Sequence, residues 1–221
     1  MKIAALIVAA GRGTRAGGGL AKQWRPLAGH SSAYFAMRAF SDHPSIDGLV
    51  LVLHPDDLAS DIWPKNPHAH AVAGGATRSA SVRAGLEALD DTIDHVLIHD
   101  AARPCVSRAV IDGVIAALHD GPAAAPAVAV VDALWRGADG HVAGAVSRAG
   151  LYRAQTPQGF RLADILAAHR AHPDGADDDV ELMRRADVPV AITPGSEDNL
   201  KITLPADFAR AERILKDQHG H

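Results

Sequence analysis

Between residues 6 and 24 the chain reads LIVAAGRGTRAGGGLAKQW. An apolar run leads into glycines, with Arg15 and Lys22 close behind. Glycine leaves backbone N–H groups open to an approaching anion, and nearby cations suit the charge that gathers in a phosphoryl-transfer transition state. Spacing then narrows which phosphate is held. Gly11-Arg12-Gly13-Thr14-Arg15-Ala16 formally fits the dinucleotide-binding pattern with alanine last. That pattern also needs a helix starting at once and an acidic residue about 20 positions on. Gly17-Gly18-Gly19 and Pro26 spoil the helix, since each interior glycine costs about 1 kcal/mol, and Asp56 comes too late. The ATP P-loop needs Gly-Lys followed by Ser or Thr, whereas Lys22 stands between Ala21 and Gln23. A glycine loop able to wrap a triphosphate remains. Its alternative is a surface loop with two solvated cations.

The second chemical cluster is LIHDAARP, residues 97–104. An apolar strand ends in His99-Asp100, and a turn through Arg103-Pro104 leads to the next helix. A carboxylate at the carboxyl end of a parallel strand faces the ligand crevice. Such a carboxylate suits Mg²⁺, which takes one or two protein oxygens and completes its shell with phosphate and water. A helix-capping role for Asp100 is the competing explanation.

These groups need a scaffold, and the hydrophobic pattern supplies one. Apolar runs at 2–8, 48–53, 95–99 and 127–131 read as buried strands. Helical patterns fall at 32–42, 78–90 and 107–119 between them. Continuous apolar strands separated by amphipathic helices imply a mostly parallel sheet covered on both faces, a three-layer Rossmann-like α/β design. Around 132–155 the rhythm changes to alternating small, polar and apolar residues about Asp139-Gly140, a hairpin signal. This stretch predicts a protruding two-stranded arm, marginal alone and in need of a partner surface. Further helices are expected at 161–172, 178–186 and 205–217, and strands near 188–193 and 199–203. Neither a repeat nor a long linker divides the chain, so residues 1–221 read as one domain.

Composition excludes several classes of function. Lys plus Arg total 22 against 26 Asp plus Glu, which lacks the cationic excess of a nucleic-acid coat. Aromatics at 4% leave little for base stacking. No long apolar run is free of charge or glycine, so no membrane span is expected. The N-terminus carries no signal-peptide pattern. A lone cysteine, Cys105, cannot make an internal disulfide and suits a reducing cytoplasm. The DQHGH terminus reads as a frayed tail.

The blocks AAGRGTR…AKQW, GGATRSASVRAGL, HDAARP, QTPQGF and EDNLKIT share the order and spacing of one family. Over residues 3 to 215 the chain resembles the 2-C-methyl-D-erythritol 4-phosphate cytidylyltransferases of the nucleotidyltransferase superfamily. The resemblance implies transfer of CMP from CTP to methylerythritol phosphate with loss of pyrophosphate, in non-mevalonate isoprenoid synthesis. By the family's pattern Arg15 and Lys22 touch the triphosphate, and Ala9, Ala10, Gly11 and Gly13 bring backbone to it. Gly74, Gly75 and Ser81 match the segment that reads cytosine and ribose, with Arg78 ordering it; a turn and helix cap would also explain Ser81. Asp100 would hold Mg²⁺, with Ala101 and Arg103 at the cytidine site. Lys201 would reach the α-phosphate and the acceptor. Arg148 would grip the acceptor's phosphate, alongside Asp132, Ala133 and Asp177. In the family the arm crosses to a second subunit, so a homodimer is expected in which Arg148 serves its partner's site.

Departures concentrate on the acceptor side. Ala133 stands where threonine is usual, which removes a hydroxyl donor worth about 1 kcal/mol. Trp135 replaces a common lysine. Asp177 replaces a threonine beside the acidic pair, where it would repel a phosphate unless turned outward; the acidic run also suits the first turn of a helix. GHSSAYF departs from the usual Gly-basic-Pro helix start. A sibling cytidylyltransferase for ribitol 5-phosphate or another polyol- or sugar-phosphate is therefore the first alternative, and a non-catalytic nucleotide-binding domain the second. A NAD-dependent enzyme ranks third because the acidic residue is misplaced. Some relatives are fused to a second enzyme of the pathway, and no such domain is expected before the end at His221.

Overall fold

The run IAALIVA has no polar side chain to solvate, and it forms the buried strand β1 (Ile3–Ala9) in the middle of the sheet. The computed structural model describes residues 1–12, 20–60 and 62–219. After β1 come a 3-10 turn at Lys22–Trp24, β2 (Pro26–Leu27), β3 (His30–Ser31), α1 (Ser32–Ser41), β4 (Gly48–Leu53), α2 (Pro55–Leu58) and β5 (Ala69–Ala73). The chain continues through α3 (Arg78–Glu87), β6 (His95–Asp100), α4 (Arg108–Asp120), β7 (Ala123–Ala129), β8 (Leu134–Ala138) and β9 (His141–Val146). It closes with β10 (Tyr152–Ala154), β11 (Gln158–Arg161), α5 (Leu162–Ala171), α6 (Asp179–Arg185), β12 (Ala191–Pro194) and α7 (Ala206–His219).

The main sheet runs β10-β7-β11-β6-β1-β4-β5, with β12 on β7. Strands β6, β1, β4 and β5 are mutually parallel. β11 enters antiparallel between β6 and β7. β1 shows why both faces must be covered. Ile3, Ala5, Ile7 and Ala9 pack with α1 and α4, whereas Leu6 packs with α3, α5 and α6 on the opposite face. The three-layer α/β design follows directly from that alternation. A third apolar cluster joins α7 to Phe35, Ile202 and Cys105. There burial pushes the Cys105 thiol up to about 12.

Several expectations need correction. The strand expected at 127–131 lies earlier, at Ala123–Ala129, and the last expected strand, 199–203, is not formed. Residues 199–203 have only isolated ties, among them the Ile202 N–H donating to Ala102 O at 2.8 Å, so no ladder develops. The hydrophobic pattern does not predict β5 or β11. AHAVA interrupts its apolar residues with a histidine, and QGFR is too short and polar to read as a strand. The arm is shorter than 132–155. Its hairpin is β8 with β9, turned by Asp139 (φ 49°) and Gly140 (φ 76°) and bulged between Arg136 and Gly137, while residues 152–154 return to the main sheet as β10. Trp135 (67% exposed) and Val142 (60%) stand out from this hairpin.

The unusual start of α1 has a local explanation. Ser31 Oγ caps the helix at Tyr34 N, and Ser32 Oγ donates to Ala101 O at 2.7 Å, tying α1 to the end of β6. Close packing on the other face depends on Gly85. A Cβ there would lie 2.3 Å from Leu6 Cδ1 and 2.6 Å from Val52 Cγ2. Gly85→Val is therefore expected to lower stability by about 2–3 kcal/mol through overpacking, read as an earlier urea midpoint at unchanged m-value.

Candidate active site

The carboxyl ends of β1, β4 and β6 and the start of α3 enclose a cleft of about 480 Å³. Its walls include Ala9, Ala10, Gly11, Lys22, Gly75, Arg78, Ser81, Asp100, Ala101 and Lys201. Residues far apart in the chain thus meet in one place. Gly13 and Arg15 lie outside the described residues.

The root of the glycine loop is fixed by its own motif. Gln23 Nε2 donates to Ala9 O at 2.8 Å and to Gly11 O at 2.7 Å. Lys22 Nζ donates to Ile202 O at 2.8 Å, next to Lys201. Arg12 reaches Asp56 and Asp57, and Trp24 Nε1 donates to the second carboxylate oxygen of Asp57 at 2.9 Å. On the opposite wall Thr77 caps α3. Ser81 Oγ accepts from Gly75 N–H at 3.1 Å and donates to Thr77 O at 2.9 Å, so its hydroxyl shapes the turn. Gly74 stands behind this wall, where a Cβ would come within 2.6 Å of Ala10 Cβ and 2.8 Å of Ser81 Oγ. The glycine lets the β5–α3 turn press against the end of β1.

Asp100 is the electrostatic centre. Lys201 Nζ lies 2.7 Å from Oδ2, and Arg78 Nε lies 3.6 Å from Oδ1. Burial alone would raise this carboxyl, but Arg78 and Lys201 outweigh it and hold it well below the usual carboxylate range. Its backbone N–H donates to Thr156 Oγ1 at 3.2 Å, and that hydroxyl lies 2.9 Å from His99 Nδ1. His99 Nε2 meets Arg103 O at 3.0 Å. The partners assign the neutral Nε2–H tautomer, with Nδ1 accepting from Thr156. Burial lowers His99 to about 4. Arg103 itself is not in the cleft wall. It is buried and donates to Asn199 O at 2.6 Å and Ala154 O at 3.3 Å, holding the segment that carries Lys201.

The donor set suits Mg²⁺. One ionised carboxylate beside space for phosphate fits an ion that keeps phosphate and water ligands. Among the described residues no group of three or more His, Cys, Asp or Glu side chains forms a full protein cage. Asp100 is the residue that would hold the ion.

The residues expected on the acceptor side are not among those lining the cleft of their own chain. Asp132 and Ala133 are exposed at the foot of the arm, and Arg148 hydrogen-bonds to Val131 O there. Asp177 is exposed. Its neighbour Asp178 caps α6, accepting from Val180 N–H at 2.7 Å, so the acidic run does begin a helix. Sequence reasoning missed Arg12, Gln23 and His54 in the cleft wall, and Thr156 and Asp179, which hydrogen-bond to Asp100 and Arg78 from behind it. Gln23 and Thr156 stand in two of the family-like motifs, but nothing in their type declares a hydrogen-bond partner.

Residues 3–217 match the family described as 2-C-methyl-D-erythritol 4-phosphate cytidylyltransferase. The chain belongs to that family. It is 62% identical over 221 residues, the full length of both chains, to the cytidylyltransferase of Roseobacter denitrificans. It is also 62% identical over 216 residues to the bifunctional enzyme IspD/IspF of Paracoccus denitrificans, covering 97% of this chain and 56% of that one. The crystal structure of the cytidylyltransferase from Thermus thermophilus shares 32% identity and superposes with a TM-score of 0.83, over 98% of this chain and 100% of that one. A structure of 4-diphosphocytidyl-2C-methyl-D-erythritol synthase, at 28% identity, covers 97% of this chain and 99% of its own with a TM-score of 0.85.

In this cytidylyltransferase-family chain the His99 relay makes stability depend on pH. The folded imidazole titrates near 4 rather than at 6.5, so between those values the unfolded chain binds more protons. The contribution of His99 is complete above pH 6.5 and is lost progressively as pH falls from there to 4, by about 3 kcal/mol in all. Urea unfolding between pH 7.5 and 4 is expected to show this slope, and His99→Gln to flatten it.

Proposed function

We propose that the chain transfers the cytidylyl group of CTP to 2-C-methyl-D-erythritol 4-phosphate and releases pyrophosphate. The observation that carries this reading is the convergence of Lys22, Asp100 and Lys201, from three distant segments, on one cleft of a cytidylyltransferase-family chain. An oxygen of the acceptor's phosphate attacks the α-phosphorus of CTP. The new P–O bond forms as the bond from the α-phosphorus to the bridging oxygen breaks, and that oxygen leaves with the pyrophosphate. Two anions must meet, so the chemistry calls for alignment and positive charge more than for proton transfer.

The cleft meets that demand with its own residues. Lys22 and Lys201 emerge side by side through the Ile202 carbonyl contact, and their charges suit the α-phosphate and the acceptor oxygens that approach it. Gly11 leaves its backbone open: a Cβ there would meet nothing within 4 Å. Asp100 would hold Mg²⁺, which when bound supplies further positive charge to the phosphates. The turn at Gly74–Ser81, with small side chains and backbone groups, suits a pyrimidine edge read by hydrogen bonds. Arg15 is assigned to the triphosphate by its place in the motif.

The exposed hairpin with Trp135 and Val142 supports a homodimer in which Arg148, Asp132 and Ala133 complete the partner's acceptor site. The lone reduced cysteine supports a cytoplasmic setting. Among the described residues no helix is long and apolar enough to cross a membrane.

Pyrophosphate release from CTP and Mg²⁺ with methylerythritol phosphate tests the reading, with ribitol 5-phosphate as the competing acceptor. Lys22→Ala is expected to lose at least about 100-fold in rate, the scale for removing a transition-state charge partner; an unimpaired variant would overturn its role. For the dimer, sedimentation is expected to give twice the chain's 23.1 kDa. Trp135→Glu with Val142→Glu should yield monomers with depressed acceptor turnover.

A further inference from the structure

Behind the cleft runs a chain of buried polar groups that the transfer mechanism does not use. Asp179, at the start of α6, is 1% exposed, and so is His169 of α5. Asp179 Oδ2 lies 2.7 Å from Arg78 NH1, and Oδ1 lies 3.0 Å from His169 Nε2. His169 Nδ1 lies 3.3 Å from Ser79 Oγ, beside Arg78 on α3. The far side of the guanidinium, Nε, is the atom that faces Asp100. Four elements therefore meet through one arginine: α5 and α6 hold its outer edge, α3 carries it, and the end of β6 receives it.

A buried ion pair is a poor source of net stability, because desolvation consumes most of the Coulomb gain. Its distinctive contribution is geometry. An arginine beside Asp100 alone, with 28% of its side chain exposed, could swing into the cleft or out to solvent. With NH1 bound to a carboxylate that is itself locked by an imidazole, the guanidinium plane is set before any ligand arrives. Packing reinforces the lock. Gly175, in the loop leading to α6, approaches Ser79 so closely that a Cβ would lie 2.5 Å from Ser79 Cβ. Ser79, His169 and Asp179 have the residue types of a hydrolase triad, but Ser79 is buried at 8% and absent from the cleft wall, so no substrate reaches it.

We propose that Asp179, seated by His169, is a positioning residue for cytidylyl transfer: it holds the Arg78 guanidinium fixed in the cleft beside Asp100, where triphosphate charge develops. This rests on the cytidylyl-transfer reading. Fixed charge acts on the transition state without reorganising, so its loss falls on kcat. Affinity for CTP stays near its original value, because neither Asp179 nor His169 lines the cleft.

The test measures kcat and KM by pyrophosphate release, with circular dichroism to establish folding. Asp179→Asn is expected to lower kcat at least about tenfold, the scale of one hydrogen bond to a charged group, with KM for CTP moving less than about threefold. Arg78→Lys should lower kcat similarly. The double variant should be no worse than the poorer single one, because the two residues act as a unit. His169→Gln, which can still donate to Asp179, should keep most of the rate, whereas His169→Leu should fall with Asp179→Asn. Multiplicative losses in the double variant, or a folded Asp179→Asn or His169→Leu enzyme with unchanged kcat, would overturn the inference. If Asp179→Asn fails to fold, the contrast between the two His169 variants decides. Wild-type activity with ribitol 5-phosphate alone would overturn the acceptor and leave the variants to be compared on that substrate. A wild-type enzyme inactive with every acceptor would sink the function and this inference together.

Discussion

A carboxylate at the end of a buried strand remains charged only if cations surround it. Asp100 meets that condition through Lys201 from the C-terminal connection and Arg78 from α3. The requirement organises much of the molecule. Lys201 must be delivered to β6, so the segment at 199–203 is tied by Arg103 to Asn199 O and by the Ile202 N–H to Ala102 O. Arg78 must start its helix at the cleft, so Thr77 caps there and Gly74 lets the preceding turn press against β1. Burial works against ionisation at this position and is overcome by two opposite charges. That balance keeps a carboxylate ionised in the wall of the cleft.

QTPQGF, meaningless as a chemical motif in isolation, proves to be the brace around this carboxylate. Thr156 receives the Asp100 N–H and meets His99. Gln155 Oε1 accepts from Ser196 N–H and Asn199 Nδ2 beside the Lys201 segment. Gln158 Nε2 donates to Asp178 Oδ2 at the cap of α6. One short stretch thus reaches three others: the end of β6, the turn at 196–199 and the start of α6. Each link is a neutral or charge-assisted hydrogen bond inside the protein, where such bonds are directional and costly to leave unmade.

The sequence is readable where a residue's type dictates its setting. IAALIVA has to be a central strand and Asp139-Gly140 has to turn a hairpin, whereas Lys22, Asp100 and Lys201 come together in the sequence only through the family-like blocks that carry them. Reading fails where the setting comes from partners. QGFR becomes a strand only because β6 and β7 offer it two edges. Residues 199–203 look like a strand by alternation, yet they find isolated hydrogen bonds rather than a ladder. Asp179 sits in an acidic run indistinguishable from a solvated helix start. Its burial depends on His169 and Arg78, which lie 10 and 101 positions away.

The late strand β11 has a consequence for how the chain is made. It wedges between β6 and β7, both finished more than two dozen residues earlier in synthesis. Until residue 161 leaves the ribosome, the two older strands have no neighbour across that gap, and each presents an unsatisfied edge of the kind that invites pairing with foreign chains. A message truncated within the arm would release a product lacking β10, β11 and β12, with an open seam between β6 and β7.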